Sequence, residues 1–222
     1  MFGKNKISKP KKGNGNKLDI VEIFFTFQGE GPYTGYPAIF VRLGGCNLSC
    51  DFCDTEFDDF KELELKEILA KIDELSDNKK SANLVVITGG EPMRQPIAKL
   101  CQKLVNNNFL VQIETNGTLF CDLPKQVKII CSPKNNKGKY QKIRPDLLEK
   151  IDALKFIISA SNKNYNFITD VGQKNSNIAV YLQPMDEYDE KKNNKNKELT
   201  LKLAKENGCN ISLQTHKIWQ IK

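Results

Sequence analysis

Short, continuously apolar segments recur along this chain and alternate with segments of helical periodicity. The runs VVI, KFII and AVYL lack the alternation of a strand with one solvated face and are typical of strands buried on both faces. Before the first of these runs the pattern differs, and LELKEILAKIDEL places apolar residues at helical spacing, namely Leu65, Ile68, Leu69, Ile72 and Leu75. Strands that alternate with helices predict a parallel sheet with crossover helices.

The remaining segments fit the same scheme. Further strands are predicted over LDIVEIFFTF, AIFVRLGG, FLVQIETNGT, QVKIICSPK and NISLQT. Further helices are predicted over RQPIAKLCQKLVNNN, RPDLLEKI and ELTLKLAKENG. The polar stretch KKNNKNK is expected to be a solvated loop or a frayed helix start. The predicted fold class is therefore α/β, with about six parallel core strands and few helices.

The N-terminal residues differ in composition from the rest of the chain. Residues 1–17 hold six lysines and no acidic residue, which leaves 28 of the 34 basic residues against 27 acidic ones in the remainder. We expect a disordered, Lys-rich arm over residues 1–17 and a single domain over 18–222 that binds no nucleic acid. No apolar run approaches the roughly eighteen residues of a membrane span, so no membrane association is expected. Seven cysteines without a signal peptide predict a reducing compartment, the cytoplasm.

Three of the cysteines, Cys46, Cys50 and Cys53, fall within eight residues directly after a predicted strand. A structural zinc site normally needs four ligands, and His216 is the only histidine of the chain. A redox pair accounts for Cys50 and Cys53 alone. A [4Fe–4S] cluster on three thiolates accounts for all three and leaves one iron open to a further ligand. Ordinary core or surface thiols are predicted at the other four positions, Cys101, Cys121, Cys131 and Cys209.

The C-x3-C-x2-C spacing resembles that of the radical S-adenosylmethionine enzymes. In that superfamily the open iron binds the methionine part of the cofactor, and one electron splits a carbon–sulfur bond. The resulting 5′-deoxyadenosyl radical abstracts a hydrogen atom from the substrate. TGGEP, at residues 88–92, resembles the turn that binds the methionine amino group there, and its glycines permit a close backbone approach. An ordinary strand-to-helix turn also favours glycine and proline.

A longer series of motifs narrows the resemblance. The chain contains, in this order, FQGEGPYTGYPAIFVRLGGCNLSCDFCDT, TGGEP, ETNGT, SPK, YLQPMD and LQTHK. Together they resemble the 7-carboxy-7-deazaguanine synthase (QueE) family from about residue 20 to the end. The resemblance implies conversion of 6-carboxy-5,6,7,8-tetrahydropterin to 7-carboxy-7-deazaguanine with release of ammonia, on the route to queuosine. It also implies a shortened partial (β/α) radical barrel, a homodimer, and a flavodoxin- or ferredoxin-type electron donor.

The resemblance also assigns roles to matching positions. Cys46, Cys50 and Cys53 would hold the cluster, and Thr55 would bind Mg²⁺ beside the substrate. The implied contacts to S-adenosylmethionine are Phe52, Cys53, Asp54, Gly90, Ser132, Pro133, Lys134, Gln183, Pro184, Met185 and Asp186. The implied contacts to the substrate are Phe27, Gln28, Gly29, Glu30, Arg42, Thr88, His216 and the terminal Lys222.

Residue chemistry suits several of these roles. The amide of Gln28 and the carboxylate of Glu30 can bind the donor and acceptor edge of a pterin. Arg42 lies in the apolar segment IFVRL, where a buried guanidinium needs an anionic partner such as a substrate carboxylate. Magnesium accepts few hard oxygen ligands from protein, which one threonine can satisfy. A loop cap at Thr55 and a packed structural role for His216 remain alternatives.

Two other function classes stay open at this stage. Another radical enzyme, such as an activase that installs a glycyl radical on a protein partner, shares the cysteine spacing. A non-catalytic zinc or iron–sulfur module would need the cysteines alone.

Overall fold

One mostly parallel sheet dominates the computed structural model, which describes residues 5–136 and 138–222. The strands are β1 (Lys17–Phe27), β2 (Pro37–Leu43), β3 (Lys61–Glu64), β4 (Leu84–Gly89), β5 (Leu110–Thr115), β6 (Lys128–Cys131), β7 (Asn135–Asn136), β8 (Lys139–Tyr140), β9 (Ala153–Ile158), β10 (Ala179–Pro184) and β11 (Asn210–Ile211). Nine of them form the sheet, in the order β11-β10-β9-β6-β5-β4-β2-β1-β3, and β7 and β8 form a separate hairpin.

Six neighbouring strands, β2, β4, β5, β6, β9 and β10, are parallel to one another. The short β11 adds a further parallel strand beside β10. Since β11 and β3 form the two edges, the described strands do not close into a barrel. This arrangement confirms the predicted α/β class with about six parallel core strands and few helices.

The strand β1 runs against the parallel direction. It pairs antiparallel with β2 on one side and with β3 on the other. An antiparallel neighbour needs no crossover helix, so the chain can pass from β1 to β2 through the short loop of residues 28–36. The N–H of Gln28 donates to the carbonyl of Tyr36 across this loop. As a result, the loop between β1 and β2 lies at the end of the sheet where β2 and the other parallel strands begin.

The helices are α1 (Leu65–Leu75), α2 (Ala98–Asn106), α3 (Pro145–Leu148), α4 (Glu190–Asn207) and α5 (Thr215–Trp219). The predicted face of α1 is the one that packs on the sheet, with Leu65, Ile68 and Ile72 buried. Each fully buried aliphatic side chain stabilises the fold by about 1.5–3 kcal/mol. No helix in the described parts of the chain combines the length and the apolar character of a membrane span.

The polar stretch at residues 191–197 is helical rather than a solvated loop. Helix α4 begins at Glu190, where the side chain of Asp189 accepts a hydrogen bond from the backbone N–H of Lys192. Within this stretch Asn196 is fully buried, and its amide bonds to the backbone at Ala160 and Met185. The helix ends at Asn207, and the capping residue Gly208 has a left-handed φ of 63°.

The N-terminal arm also differs from the expectation of disorder over residues 1–17. Several residues between positions 5 and 16 hydrogen-bond to the body of the protein, and Lys17 begins β1. Ser8 N–H donates to the carbonyl of Cys46 over 2.7 Å, and Lys11 N–H donates to the carbonyl of Arg94 over 2.7 Å. Composition alone does not indicate these two contacts, because both use the backbone of the arm. Residues 1–4 lie outside the described part of the chain.

Candidate active site

The cysteine loop follows the carboxyl end of β2 and lines a cavity of about 210 Å³. Cys46, Cys50 and Cys53 all lie in its wall, and all three are free thiols. Loops at the carboxyl ends of parallel strands are the usual place for ligands in α/β proteins, because those strand ends converge on one edge of the sheet. The sheet therefore places the three predicted cluster ligands beside one concave site.

The three thiols suit an iron–sulfur cluster better than a single metal ion. No group of three or more His, Cys, Asp or Glu residues within 5–136 and 138–222 could hold one metal ion. A zinc site needs its ligands around one centre, whereas each thiolate of a cluster binds a different iron. The described cavity wall contains no fourth cysteine and no histidine. This donor set fits a [4Fe–4S] cluster with one iron left open.

Burial and hydrogen bonds shape the chemistry of these thiols. Burial raises the pKa of Cys46 to about 11, against a hydrogen bond that the backbone N–H of Leu48 donates to its sulfur over 3.4 Å. Burial likewise raises the pKa of Cys50 and of Cys53. The side-chain amide of Asn116 also lies 3.9 Å from Cys46 Sγ. The free thiols are thus protonated at neutral pH, and metal binding must displace those protons.

A glycine turn at the end of β4 packs directly against the start of the cysteine loop. The N–H of Gly90 donates to the carbonyl of Leu43, and the N–H of Glu91 donates to the carbonyl of Gly45, each over 3.0 Å. A Cβ at Gly90 would overlap that carbonyl oxygen of Gly45. Glycine is therefore required for the two backbones to approach each other so closely.

Glu91, the residue after this turn, supports the site from beneath. Glu91 is fully buried and accepts hydrogen bonds from Thr115 Oγ1 and Asn116 N–H at 2.7 Å and from Met93 N–H at 3.0 Å. Burial raises the pKa of its carboxyl group, while these hydrogen bonds act in the opposite direction. Glu91 thereby ties the end of β4 to the end of β5 beneath the cavity.

Most of the cofactor contacts implied by the sequence lie in the wall of the same cavity. Phe52, Cys53, Asp54, Gly90, Ser132, Lys134, Gln183, Met185 and Asp186 line it, whereas Pro133 and Pro184 do not. The ammonium group of Lys134 donates to Ser132 Oγ over 2.6 Å. Lys217 of α5 lies 2.7 Å from Asp186, so the C-terminal helix is attached to this wall. The structure thus gathers the ends of β6 and β10 opposite the cysteine loop.

A buried charge cluster forms another part of the wall. Lys155, on β9, pairs with Glu30 and lies 3.2 Å from Glu114. Burial alone would raise the pKa of Glu30, but the Lys155 ammonium and a hydrogen bond from Gln214 hold it at about 2. Opposing carboxylates keep the pKa of Lys155 above its ordinary value against its burial. Both Glu30 and Lys155 are therefore charged at neutral pH.

The other substrate contacts implied by the sequence are divided between this cluster and a separate edge. Thr88 lines the cavity with Glu30. Gln28 is buried behind the wall and donates to Glu114 over 3.0 Å. His216 packs against Gly29, where a Cβ would overlap its ring. The side chain of Phe27 is 43% exposed and does not line the cavity.

Arg42 and Lys222 lie outside the cavity wall and share Glu22 as a partner. Arg42 Nη1 donates to Thr55 Oγ1 over 3.2 Å, and its Nε lies 2.9 Å from Glu22. Lys222 pairs with the same Glu22, while its main-chain oxygen accepts from Thr26 Oγ1 over 2.5 Å. Since β1 and β2 place Glu22 opposite Arg42, the anionic partner that this arginine requires comes here from the protein.

Several residues of the cavity wall escaped the sequence analysis, namely Asn5, Glu114, Asn116, Lys155, Gln214 and Lys217. Glu114 and Asn116 belong to ETNGT, and Gln214 and Lys217 belong to LQTHK, so the motifs contained them without singling them out. The sequence does contain an indication that Lys155 needs an anionic partner, because it is the only charged residue of the apolar run KFII. The same reasoning that singled out Arg42 applies to it.

Comparison with known proteins agrees with this geometry. Residues 40–132 match the family model described as the radical SAM superfamily. The chain is 57% identical, over 98% of its length and 94% of the relative's, to the 7-carboxy-7-deazaguanine synthase of Rickettsia prowazekii. It is 46% identical to the enzyme of the same name from Rhodospirillum rubrum, over 72% of this chain and 66% of that protein.

A solved structure supports the same assignment at the level of the fold. The crystal structure of QueE from Escherichia coli superposes with a TM-score of 0.71 at 27% identity, covering 89% of this chain and 94% of that one. The mostly parallel sheet of this chain agrees with that likeness. Radical S-adenosylmethionine enzymes use a [4Fe–4S] cluster together with S-adenosylmethionine. The chain belongs to the 7-carboxy-7-deazaguanine synthase family of the radical SAM superfamily.

Proposed function

We propose that this protein converts 6-carboxy-5,6,7,8-tetrahydropterin to 7-carboxy-7-deazaguanine with release of ammonia, in the biosynthesis of queuosine and related 7-deazapurines. One observation carries the proposal. A single cavity is lined both by the three thiols of the cysteine loop and by the charged cluster of Glu30, Glu114 and Lys155. A radical generated at the thiol side would therefore arise next to a polar wall suited to a pterin.

The residues on the thiol side would hold the cofactors. Cys46, Cys50 and Cys53 would bind the cluster, which when bound supplies the electron that splits S-adenosylmethionine. The close backbone approach at Gly90 exposes main-chain groups to the cofactor. On the opposite wall Lys134 carries a positive charge into the cavity, where it can face the cofactor's carboxylate or ribose hydroxyls.

The residues on the charged side would orient the substrate. Since the pKa of Glu30 is about 2, its carboxylate is a permanent acceptor for the ring N–H and amino groups of a pterin at neutral pH. Glu114 is held beside it by Gln28 and Lys155, which leaves the second carboxylate in a fixed orientation. A preset acceptor pair favours one orientation of the ring and so selects which hydrogen atom faces the radical.

Arg42 and Thr55 would recognise the substrate's carboxylate, and the C-terminus would contact another part of the substrate. The guanidinium of Arg42 lies within hydrogen-bond distance of Thr55 Oγ1, so a magnesium ion on Thr55 and a carboxylate on Arg42 would be neighbours. We include Mg²⁺ in the proposal for that reason. The main chain of Lys222 is held by Thr26, four residues along β1 from the Glu22 that pairs with Arg42.

The proposal extends to the organisation of the protein. We infer one domain over residues 18–222 and a homodimer, because Phe25, Phe27, Ile218 and Trp219 are exposed large apolar side chains. Light scattering should then give about twice the chain mass of 25.2 kDa. We also propose a flavodoxin- or ferredoxin-type electron donor. The seven free cysteines support the cytoplasm as its location.

Anaerobic reconstitution with iron and sulfide tests the proposal. We expect a [4Fe–4S] absorption and electron paramagnetic resonance signal, and formation of 7-carboxy-7-deazaguanine, detected by mass spectrometry, from the carboxytetrahydropterin without a protein partner. Cys50→Ala should lose both cluster and product, while the matched control Cys209→Ala should retain both, since Cys209 lies outside the cavity wall. Zinc bound in place of the cluster, or product that requires a protein partner, contradicts the proposal.

A further inference from the structure

Residues 5–11, which we call the N-terminal strap, lie along the cysteine loop. Ile7 pairs with Cys46 in a parallel bridge, and the N–H of Ser8 donates to the carbonyl of Cys46 over 2.7 Å. Ser49 Oγ donates to the carbonyl of Asn5 over 3.2 Å. The strap therefore contacts the loop both at its first cysteine and just before its second.

The side chain of Asn5 fixes the other end of the loop. Its Nδ2 donates to the carbonyl of Thr55 over 2.8 Å, and its Oδ1 accepts from the N–H of Phe57 over 3.1 Å. The same Nδ2 lies 3.9 Å from Cys53 Sγ. The segment from Cys53 to Phe57 has no regular structure, so its backbone groups lack the hydrogen-bond partners of a helix or a sheet. The two bonds to Asn5 satisfy two of these groups. The amide of Asn5 can donate to the carbonyl and accept from the N–H at once, because it carries an NH₂ donor and a carbonyl acceptor.

The far end of the strap is anchored in the core. Arg94 is buried, and it donates to the carbonyl of Lys9 over 2.9 Å and to the carbonyl of Gly44 over 2.9 Å. Its partner is the buried carboxylate of Asp19 at 3.1 Å, which also lies 2.5 Å from Lys11. The guanidinium of Arg94 thus joins Lys9 of the strap to Gly44, which lies just before the cysteine loop. Removing one member of such a buried pair is costly, so the anchor is firm.

We propose that the N-terminal strap positions the cluster-binding loop, with Asn5 as the positioning residue that holds Cys53 and Thr55 towards the cavity. The proposal rests on the proposed function, because it assigns Cys53 to the cluster and Thr55 to the magnesium ion. Hydrogen bonds to a ligating sulfur raise the reduction potential of a cluster. The amide of Asn5 is therefore also expected to keep the cluster easier to reduce.

Alkylation of the cysteines tests the strap without requiring a cluster. Cluster-free Asn5→Ala, wild type and the control Asn14→Ala would be exposed to iodoacetamide, and labelling would be followed cysteine by cysteine by mass spectrometry. Asn14 is an exposed residue of the same arm, and among residues 5–136 and 138–222 its side chain accepts a local hydrogen bond from the backbone N–H of Asn16. We expect labelling of Cys53 to be at least about threefold faster in Asn5→Ala alone.

Buried Cys131 serves as an internal control for unfolding. A rise confined to the cysteine loop supports the strap, whereas equal rates, or a rise that includes Cys131, overturn it. In reconstituted protein, Asn5→Ala and Asn5→Asp should both release iron to a chelator faster and shift the midpoint potential to more negative values. A wild type that binds no cluster would contradict the proposed function and leave the alkylation result decisive for the strap.

Discussion

Replacing Lys155 by methionine tests how the charged wall of the active site is held. The side chain of Lys155 is only 5% exposed and faces the two carboxylates of Glu30 and Glu114. Methionine fills nearly the same space without the charge, so the change leaves two largely buried carboxylates, 17% and 21% exposed, without their cationic partner. Removing one partner of a buried ion pair costs about 3–5 kcal/mol. We therefore expect Lys155→Met to lower the free energy of unfolding by that amount at pH 7.

The pKa of Glu30 gives a second measure of the same coupling. It lies at about 2 instead of the ordinary 4.5. This lowering corresponds to roughly 3 kcal/mol of stability. Since the pKa of Glu30 is lower in the folded protein, that stability is fully present at pH values above the pKa of the unfolded chain. It is lost as the pH falls through the pKa of the folded protein. Without Lys155, burial raises the pKa of Glu30. Protonation of Glu30 then removes the uncompensated charge and restores part of the stability that the variant lost. The deficit of Lys155→Met must shrink between pH 7 and pH 4.

Urea unfolding followed by circular dichroism measures both quantities. The matched control is Lys128→Met, whose partner Asp152 is also close, at 2.8 Å, but whose pair is 39% and 32% exposed. Such surface pairs contribute at most about 1 kcal/mol. In thermal unfolding a loss of about 3–5 kcal/mol corresponds to a fall in Tm of roughly 6–20 °C for a chain of this size. Equal losses in the two variants, or a Lys155→Met deficit independent of pH, would refute the reasoning.

Three further outcomes are expected. Arg42→Ala should retain the cluster signal but raise the KM for the pterin at least about tenfold, because a charge-assisted hydrogen bond contributes about 1.5–3 kcal/mol; an unchanged KM removes Arg42 from the site. Gly90→Ala should lower both Tm and S-adenosylmethionine affinity in calorimetry, because its Cβ overlaps the carbonyl of Gly45; Gly13→Ala, whose Cβ has ordinary contacts at 3.5 Å, should do neither. A tag after Lys222 should raise the KM more than a tag before residue 1, and equal KM values would exclude the C-terminus from binding.

The fold and the position of the cysteine loop were predictable because both depend on local pattern. Buried strands are marked by continuous apolar runs, and parallel strands bring their carboxyl ends to one edge. The loop after β2 and the turn after β4 therefore had to meet, and the Leu43–Gly90 hydrogen bond is where they do. Motif order was sufficient for these residues because each lies directly after a strand.

The charged wall could not be predicted in the same way, because its members are far apart in sequence. Lys155 is 125 positions from Glu30 and 41 from Glu114. A lysine within an apolar strand indicates that an anionic partner exists, but it does not identify the partner. For Arg42 the same reasoning led to the substrate alone, while the antiparallel register of β1 supplies Glu22 as well. Strand direction, which periodicity does not encode, decided that outcome.

The N-terminal arm shows why composition was a poor guide in one respect. A lysine-rich segment with few apolar residues cannot build a core of its own, and this is all that its composition indicates. An ordered core next to it changes the balance, since the cysteine loop has unsatisfied backbone groups and the strap offers an extended backbone and one amide. Residues 5–11 are thus held in place by hydrogen bonds to the cysteine loop, whose backbone groups they satisfy and which carries the thiols.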